Sequence, residues 1–153
     1  MPPVNRDDPY GGYNFLVTVT GVSTDGIAVK GSFSEASGLE TEVSPIEYRN
    51  GSEDITVRKL PGLKKFTNIT LKRGITGDID FWNWIHKAMQ GQILRAEGSV
   101  MLLNENRQEV LRWNFCRGWP CKYTGPGLNA HNTEIAMETL EICHEGLEID
   151  GQK

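Results

Sequence analysis

The sequence has few cysteines and no long apolar run, and both features narrow the class of protein. Its three cysteines, Cys116, Cys121 and Cys143, are an odd number without the spacing of a disulfide framework. No apolar stretch approaches the roughly 18 residues needed to span a bilayer. The N-terminal stretch MPPVNRDDPYGGYNF lacks the basic and apolar regions of a signal peptide. We therefore expect reduced thiols, a cytoplasmic site of synthesis and no membrane anchor.

An excess of positive charge is also missing. Lys and Arg number 16 against 20 Asp and Glu, which gives a net charge of −4 and disfavours a basic nucleic-acid binder. Neither a G-x-x-x-x-G-K-[ST] loop nor a G-x-G-x-x-G turn after a strand is present. The 38% hydrophobic and 24% charged residues are too apolar for a disordered chain, and 153 residues suit a single domain.

What the sequence does contain is period-two alternation of apolar and polar residues, which is typical of half-buried strands. Phe15, Val17 and Val19 alternate with polar neighbours after an N-terminal arm over residues 1–12. Pro45 indicates an edge position or a strand break. Further strands are predicted over residues 27–37, 39–48, 66–73, 99–104, 108–119 and 133–145. In the last of these the period is imperfect, so we expect a bulge or a strand covered on both faces.

One helix is predicted after the 66–73 strand. Thr76 or Asp78 can cap it, Asp80 lies in its first turn, and Gly91 follows its last turn. Its core-facing residues are predicted to be Phe81, Ile85, Ala88 and Met89, with Trp82 at the edge. About seven strands and one helix predict a mainly β (β-rich α+β) fold, either a small barrel or a two-sheet sandwich with a flanking helix.

Residues 49–65 are predicted to form a long connection, because they contain the turn signals Asn50-Gly51 and Pro61-Gly62. This segment contains four basic residues within eight consecutive positions: Arg58, Lys59, Lys64 and Lys65. A loop of this length in a compact domain is usually functional or orders against a partner, although a solvated loop would show the same pattern.

Catalytic chemistry has little support in the residue pattern. The best zinc candidates are Cys116, Cys121, His131, Cys143 and His144, but they do not form two close ligand pairs. No basic setting indicates an activated thiol, so buried unpaired cysteine is the default expectation. Capping explains Asp78 and Asp80 without an acid–base pair, and a packed or solvated ring explains His86. We predict no enzyme, no cofactor and no metal.

Several strings in order are more specific. They are DPYGGYNFLVTV, FSEASGLETEVSPIEYRNG, VRKLPGLKKFTNITLKRGITG, the FWNWI helix, EVLRWNFCRGWPCKYTGPGLNA and IAMETLEICHEGLE. Together they resemble the tail-tube family of contractile phage tails and contractile injection systems, from Asp8 to Glu148. RKLPGL followed by NITLKRG is the most specific part of the resemblance.

The resemblance implies a structural, mechanical role. Six copies would join their strands into a hexameric ring, and rings would stack into a hollow tube driven through a target envelope by sheath contraction. Four lumen strands from each copy would give roughly 24, beyond the 16–18 that already leave an aqueous channel. Implied partners are the sheath, baseplate or spike and tube-terminating proteins, with protein or DNA cargo. The tube would assemble in the bacterial cytoplasm as part of a phage-tail-like particle.

The resemblance also implies roles for particular residues. The 49–65 loop would contact an adjacent subunit or ring, and acidic positions such as Glu40, Glu42 and Glu47 on a neighbour would receive its basic groups. The candidate contact residues are Tyr48, Arg49, Arg58, Lys59, Leu60, Pro61, Leu63, Lys64 and Lys65. The N-terminal arm would order at a subunit interface, and His86 and Lys87 would face the sheath. Lys72, Glu134 and Glu138 are candidate lumen residues.

Other assignments remain open from the sequence. A baseplate tube initiator would share the fold without repeating along the tube. A monomeric ligand-binding β-barrel would show the same alternation, and a thiol or zinc enzyme would depend on the three cysteines. Self-assembly into long tubes distinguishes the first hypothesis from all of these.

Overall fold

The computed structural model describes residues 6–20, 29–31, 33–49, 51, 57–77, 79–131 and 133–150. In these residues the chain forms ten strands and one helix, more strands than the seven predicted. The strands are β1 (Phe15–Thr20), β2 (Val29–Gly31), β3 (Glu35–Ser37), β4 (Thr41–Tyr48), β5 (Arg58–Phe66), β6 (Ile69–Gly74), β7 (Ala96–Leu103), β8 (Glu109–Thr124), β9 (Met137–Cys143) and β10 (Gly146–Ile149); the helix α1 (Asp80–Met89) lies between β6 and β7. The predicted mainly β fold with a flanking helix is confirmed.

The main sheet is antiparallel and is folded around its longest strand. Its order is β2-β1-β7-β8-β9-β6-β3, and β10 pairs with β8 beside this path. The first part of β8 pairs with β7 and β10, and the part from Trp119 onwards pairs with β9. Arg117 lies between the two parts with a φ of 51°, a left-handed conformation that bends the strand. The bend lets two halves of one sheet face each other.

The core lies between these halves and is built from alternating positions. Val17, Val19, Ile69, Leu71, Leu140 and Ile142 are each at most 1% exposed. Phe81 and Trp84 of α1 close the core from one side. Burying each of these aliphatic or aromatic side chains contributes about 1.5–3 kcal/mol to stability. Because this burial requires an apolar residue at every second position, the strands could be predicted from the sequence.

The helix occurs where predicted, but its ends and its buried face differ in detail. Ile79 stands at the N-cap without a side-chain cap bond, so Thr76 is not the cap, and Asp78 lies outside the described residues. Trp84 is buried and donates a hydrogen bond to the Leu94 carbonyl oxygen (3.1 Å), whereas Met89 is 63% exposed. The predicted core role of Met89 is therefore wrong.

Residues 58–65 are not a loop. They belong to β5, which pairs with β4 from Thr41↔Phe66 to Tyr48↔Arg58. The Pro61-Gly62 signal predicted a loop wrongly, because proline is tolerated on a strand with a free edge. Pro61 pairs with Pro45 in this hairpin. Residues 50 and 52–56, at the end of the hairpin, lie outside the described residues.

Three other boundaries also differ from the prediction. The strand predicted over 27–37 is represented by the short β2 and β3, and residues 27–28 lie outside the described part. β8 continues to Thr124, beyond the predicted end of this strand at residue 119. The last long strand, β9, starts only at Met137, so Ile135 is not part of it. Within β9 every second residue is buried, namely Glu138, Leu140 and Ile142. The predicted bulge, or cover on both faces, is therefore not needed.

The N-terminal arm is held within its own subunit over the residues described. Both guanidinium nitrogens of Arg6 donate to the Glu105 carboxylate at 3.0 Å, in the β7–β8 turn. The Arg6 guanidinium also lies 3.8 Å from the centre of the Tyr10 ring. The described part of the arm thus makes a contact within its own chain. The sequence analysis had expected a contact with another subunit only.

Candidate assembly interface

The β4–β5 hairpin forms a separate two-stranded sheet and carries an apolar stripe on one face. Ile46 pairs with Leu60, and a bulge shifts the register between Val43 and Pro45, where β5 carries one more residue than β4. β4 keeps its period of two past the bulge, so Ile46 and Tyr48 lie on one face with Leu60, and Val43 lies on the other. We call Ile46, Tyr48 and Leu60 the apolar hairpin face; they are 54%, 52% and 48% exposed.

The hairpin also carries charges of both signs, distributed over its two faces. Lys59 lies opposite Glu47 in the register, and Lys65 lies opposite Glu42. Opposite charges at facing positions support strand pairing. These acidic residues are therefore neighbours of the basic residues within one hairpin, rather than being available only to a second subunit. Leu63 also lies on this strand and is 79% exposed.

The hairpin is attached to the rest of the subunit at its base. Thr67 N–H donates to the Glu40 carbonyl oxygen at 3.3 Å. The buried His144 ring lies between two carbonyl oxygens, with Nδ1 3.1 Å from Gly146 and Nε2 2.9 Å from Thr67, and it packs beside Phe66. Beyond this base, β4 and β5 pack extensively on no other described element. A lone two-stranded hairpin is marginally stable in water, so this one needs a further surface.

The structure brings the sequence-predicted contact residues together on this hairpin, and all are exposed. They are Tyr48, Arg49, Arg58, Lys59, Leu60, Pro61, Leu63, Lys64 and Lys65. Val43 and Ile46 of β4 are also exposed but were missed. Pro45 lies between them, and because it indicates an edge position or a strand break, it obscured the pattern of β4.

A second exposed apolar surface lies at the other end of the subunit. Leu128 and Ile135 are 85% and 79% exposed; we call these two residues the far-end patch. Beside it, the loop between β8 and β9 forms an open recess of about 250 Å³, lined in part by Leu128, Glu134 and Ile135. β6 connects the two ends, because it starts next to the hairpin base and finishes at Gly74, beside Ile135.

The main sheet presents a polar surface on the side away from the core. Thr18, Ser99, Asn114 and Glu148 face one another across β1, β7, β8 and β10. The Ser99 hydroxyl donates to the Asn114 side-chain oxygen at 2.6 Å. The surface is concave, with an open volume of about 880 Å³. We call this surface, which includes Thr18, Glu97, Ser99, Arg112, Asn114 and Glu148, the polar sheet face.

The three candidate lumen residues do not lie together on the polar sheet face. Glu138 is 4% exposed and accepts hydrogen bonds from buried Arg73 and from Tyr123, so it cannot face a water-filled bore. Lys72 lies on β6, 3.5 Å from Glu35. Glu134 lines the far-end recess. The alternating polar positions of β1, β7 and β8 were the signal that could have identified a better set.

The thiols and histidines do not form a reactive centre in the part of the chain that is described. Cys116 and Cys121 are exposed and Cys143 is half-buried, and no cluster of three or more His, Cys, Asp or Glu residues could hold a metal ion there. Partial burial raises the pKa of the Cys121 thiol, with a further contribution from the charge of Glu141. A raised pKa reduces the thiolate fraction and opposes nucleophilic chemistry. His86 stacks on Trp82 with 5.8 Å between ring centres.

Comparison with known proteins places this arrangement in a family. The family model for the T4-like virus tail tube protein gp19 matches residues 12–148. No curated protein sequence matches the chain.

Solved structures agree with the family match. A chain of the sheath–tube complex of the extracellular contractile injection system PVC is 27% identical, with a TM-score of 0.81 over 94% of this chain and 93% of that one. A chain of the anti-feeding prophage cap is 28% identical, with a TM-score of 0.79 over 96% and 94%. A chain of the 6-fold symmetrised anti-feeding prophage baseplate shares the fold at 20% identity, with a TM-score of 0.86 over 95% and 98%. The chain belongs to the T4-like tail tube protein family and is a structural tail-tube subunit of a contractile injection system or phage-tail-like particle.

Proposed function

We propose that six copies of this subunit close into a ring, and that rings stack into a hollow tube inside a contractile sheath. The observation that carries the proposal is the free-standing hairpin, whose apolar face is half exposed and gains stability only when another surface covers it. The similarity to chains from a sheath–tube complex and from a 6-fold symmetrised baseplate supports a sixfold tube.

The polar sheet face suits the bore of such a tube. A barrel of roughly 24 strands leaves a wide aqueous channel, and its inner surface must be hydrated. Glu97 and Glu148 add negative charge to the hydroxyl and amide groups of this face, while Arg112 is paired with Glu109 at 2.8 Å. A bore of this character passes cargo with little adhesion and repels nucleic acid weakly through like charge.

The remaining partners follow from the particle in which the tube works. The sheath, the baseplate and a terminating cap are expected neighbours, because they are named for the assemblies that contain the similar chains. The spike is a further expected partner. His86 and Lys87, on the outer part of α1, are the proposed contacts with the sheath. The subunit assembles in the bacterial cytoplasm, and the particle is released or delivers protein or DNA through the bore.

A repeating tube subunit is favoured over a baseplate initiator. Identity is 27% to the chain of the sheath–tube complex and 20% to the chain of the baseplate. A repeating subunit forms long tubes by itself, whereas an initiator stops at one or two rings. Negative-stain microscopy of purified wild-type protein, alone and with baseplate seeds, distinguishes the two. A solution of single subunits under both conditions would contradict the proposed function.

Charge reversal of the hairpin tests its role in stacking. We expect the variant with Arg58, Lys59, Lys64 and Lys65 all changed to Glu to remain folded but to give rings without long tubes, because the basic surface offered to a neighbour is lost. Microscopy and sedimentation measure tube length and ring size.

A compensated variant is the matched control. The added changes Glu42→Lys and Glu47→Lys restore opposite charges across the hairpin, because these residues face Lys65 and Lys59. If only hairpin folding matters, the compensated variant recovers tubes; if the basic surface matters, it does not. Long tubes from the original fourfold variant would refute the stacking role.

A further inference from the structure

All three histidines of the chain lie in the described residues, and they differ in burial. His86 and His131 are exposed, whereas His144 is 8% exposed. The ring of His144 lies between the β5–β6 junction at Thr67 and the β9–β10 junction at Gly146. A titratable ring in this position contacts both the base of the β4–β5 hairpin and the corner that leads into β10, so its charge affects both.

Both ring nitrogens of His144 face carbonyl oxygens, which accept hydrogen bonds and cannot donate them. Nε2 lies 2.9 Å from the Thr67 oxygen, and Nδ1 lies 3.1 Å from the Gly146 oxygen. A neutral imidazole has one N–H, and its other nitrogen presents a lone pair, so it satisfies only one of these two contacts. The imidazolium has an N–H on each nitrogen, so it satisfies both, and its charge strengthens both hydrogen bonds.

We infer that the His144 ring is a pH-sensitive switch, which joins the hairpin base to the β9–β10 corner only while both of its nitrogens carry a proton. We call the ring, together with the carbonyl oxygens of Thr67 and Gly146, the His144 junction. Loss of one proton removes one of the two hydrogen bonds and so separates the two segments that the ring joins. Lowering the pH therefore stabilises the junction, and raising the pH weakens it. The switch is a property of the single subunit and goes beyond the proposed tube function.

Two aromatic rings cover the His144 ring. Its centre lies 5.8 Å from that of Phe66 in β5 and 6.0 Å from that of Phe115 in β8. Burial opposes a charge on the ring, while the hydrogen bonds to the two carbonyl oxygens favour it. A ring nitrogen that loses its proton is left as a buried acceptor facing a carbonyl oxygen, which is unfavourable. The contacts of the ring are therefore complete only in the charged form.

Other titratable and charged groups flank the junction, and they are Glu40, Arg95, Cys116, Arg117, Cys143 and Glu145. On the hairpin side, the Thr67 hydroxyl donates to the Glu40 carboxylate at 3.2 Å. On the corner side, the Glu145 carboxylate lies 3.1 Å from Arg95 and 2.7 Å from Arg117. Carboxyl groups ordinarily titrate near about pH 4 and thiols near about pH 8.5, so a response between about pH 5.5 and 7.5 is assigned to histidine.

Hydrogen–deuterium exchange of separate wild-type subunits tests the switch. The Thr67 amide donates to the Glu40 carbonyl oxygen, on the hairpin side of the junction. The Glu145 amide donates to the Cys116 carbonyl oxygen, on the corner side. As pH rises from about 5.5 to 7.5, the protection factor of at least one of these amides, corrected for the intrinsic exchange rate at each pH, is expected to fall about tenfold. Mass spectrometry of the peptides that contain them measures this change at low protein concentration.

Histidine variants assign the response to one ring. His144→Gln keeps a polar side chain but carries no charge at any pH, so its protection factors are expected to be the same at both pH values. The matched control is the double variant His86→Gln, His131→Gln, in which His144 is the remaining histidine and the response is expected to persist.

Wild-type protection that is unchanged at both amides, or a full response in folded His144→Gln, would overturn the switch. If His144→Gln does not fold, loss of the response in the double variant overturns it instead. Because separate subunits are measured, these outcomes do not depend on tube assembly, and a failure of the proposed function would be seen independently by microscopy.

Discussion

At the scale of single residues, the most constrained group is a buried ionic cluster. Arg73 Nε lies 2.5 Å from Glu138 Oε1, and the Tyr123 hydroxyl donates to Glu138 Oε2 at 2.9 Å. The Arg73 guanidinium also lies 3.9 Å from the centre of the Phe81 ring. The cluster joins β6, β8, β9 and α1, so it determines how the helix sits on the sheet.

Removing one charge of the cluster is expected to destabilise the subunit strongly. Arg73→Leu or Glu138→Leu alone leaves a buried charge without its partner and costs about 3–5 kcal/mol. The double variant leaves no buried charge and is expected to cost much less. Urea unfolding of single subunits at low concentration measures the free energy of unfolding that each variant loses. Additive losses in the double variant would contradict the role of the pair.

Ionisation of Tyr123 is expected to lower the stability of the folded subunit at alkaline pH. Burial, and then the hydrogen bond to Glu138, raises the pKa of the Tyr123 hydroxyl above its ordinary value. The folded state therefore holds the hydroxyl proton of Tyr123 more tightly than the unfolded state does. The resulting contribution to the free energy of unfolding is fully present below the unfolded pKa of about 10, and it is lost as pH rises through the folded pKa.

The variant Tyr123→Phe isolates this contribution. At neutral pH it is expected to cost about 2 kcal/mol, because Glu138 loses a donor. The stability difference between wild type and variant should shrink as pH rises above about 10. A difference that is constant from pH 8 to 11 in urea unfolding would exclude the coupling.

At the scale of elements, two glycines make room for one aromatic ring. A Cβ on Gly98 of β7 would lie 2.3 Å from Phe115 Cζ and 2.8 Å from the Thr18 carbonyl oxygen. Gly118 approaches the other side of the same ring, with a Cβ position 2.8 Å from Phe115 Cε2. The β7–β8 pair can therefore close over Phe115 only with glycine at these positions.

We expect Gly98→Ala to lower the stability by about 1–3 kcal/mol, because the ring and the β1 backbone must move apart. Gly127→Ala is the matched control, since nothing lies within 4 Å of its Cβ position. Thermal unfolding of both variants measures the difference. Adding Phe115→Leu to Gly98→Ala should recover part of the loss, and a wild-type melting temperature for Gly98→Ala would disprove the close fit.

The elements also show which features the sequence could predict. Alternation identified β1, β6 and most of β7 and β8, because burial of every second residue dominates their energetics. Pro45 and Pro61 concealed the hairpin, since each stands on a strand with a free edge where no partner requires its missing N–H. The short β10 follows β9 after only His144 and Glu145, and four residues are too few for a period to be visible.

The same limits apply to the candidate site. The basic residues of the hairpin lie together and are exposed, as a charge run that is local in sequence indicates, and their contact with a neighbouring subunit stays a prediction. Glu138 was assigned to the bore wrongly, because its partner Arg73 is 65 residues away and only the β6–β9 register brings them together.

At the scale of the whole molecule, one sheet performs two tasks on its two faces. The inner face supplies Val17, Val100 and Phe115 to the core, while the outer face presents Thr18, Ser99 and Asn114. The two ends of the subunit carry the hairpin and the far-end patch. In the proposed tube, ring closure, stacking and the bore would use different surfaces, so we expect variants to impair one while preserving the others.

The sheet ends in the described residues at β2 on one side and β3 on the other, each only three residues long. Two free copies that meet at such short edges gain few backbone bonds, and so collisions between them seldom persist. In the proposed ring, closure would become favourable only when many weak contacts form together, so we expect nucleation to be the slow step of assembly. A preformed template would then remove the lag, and newly made subunits would stay dispersed until one is present.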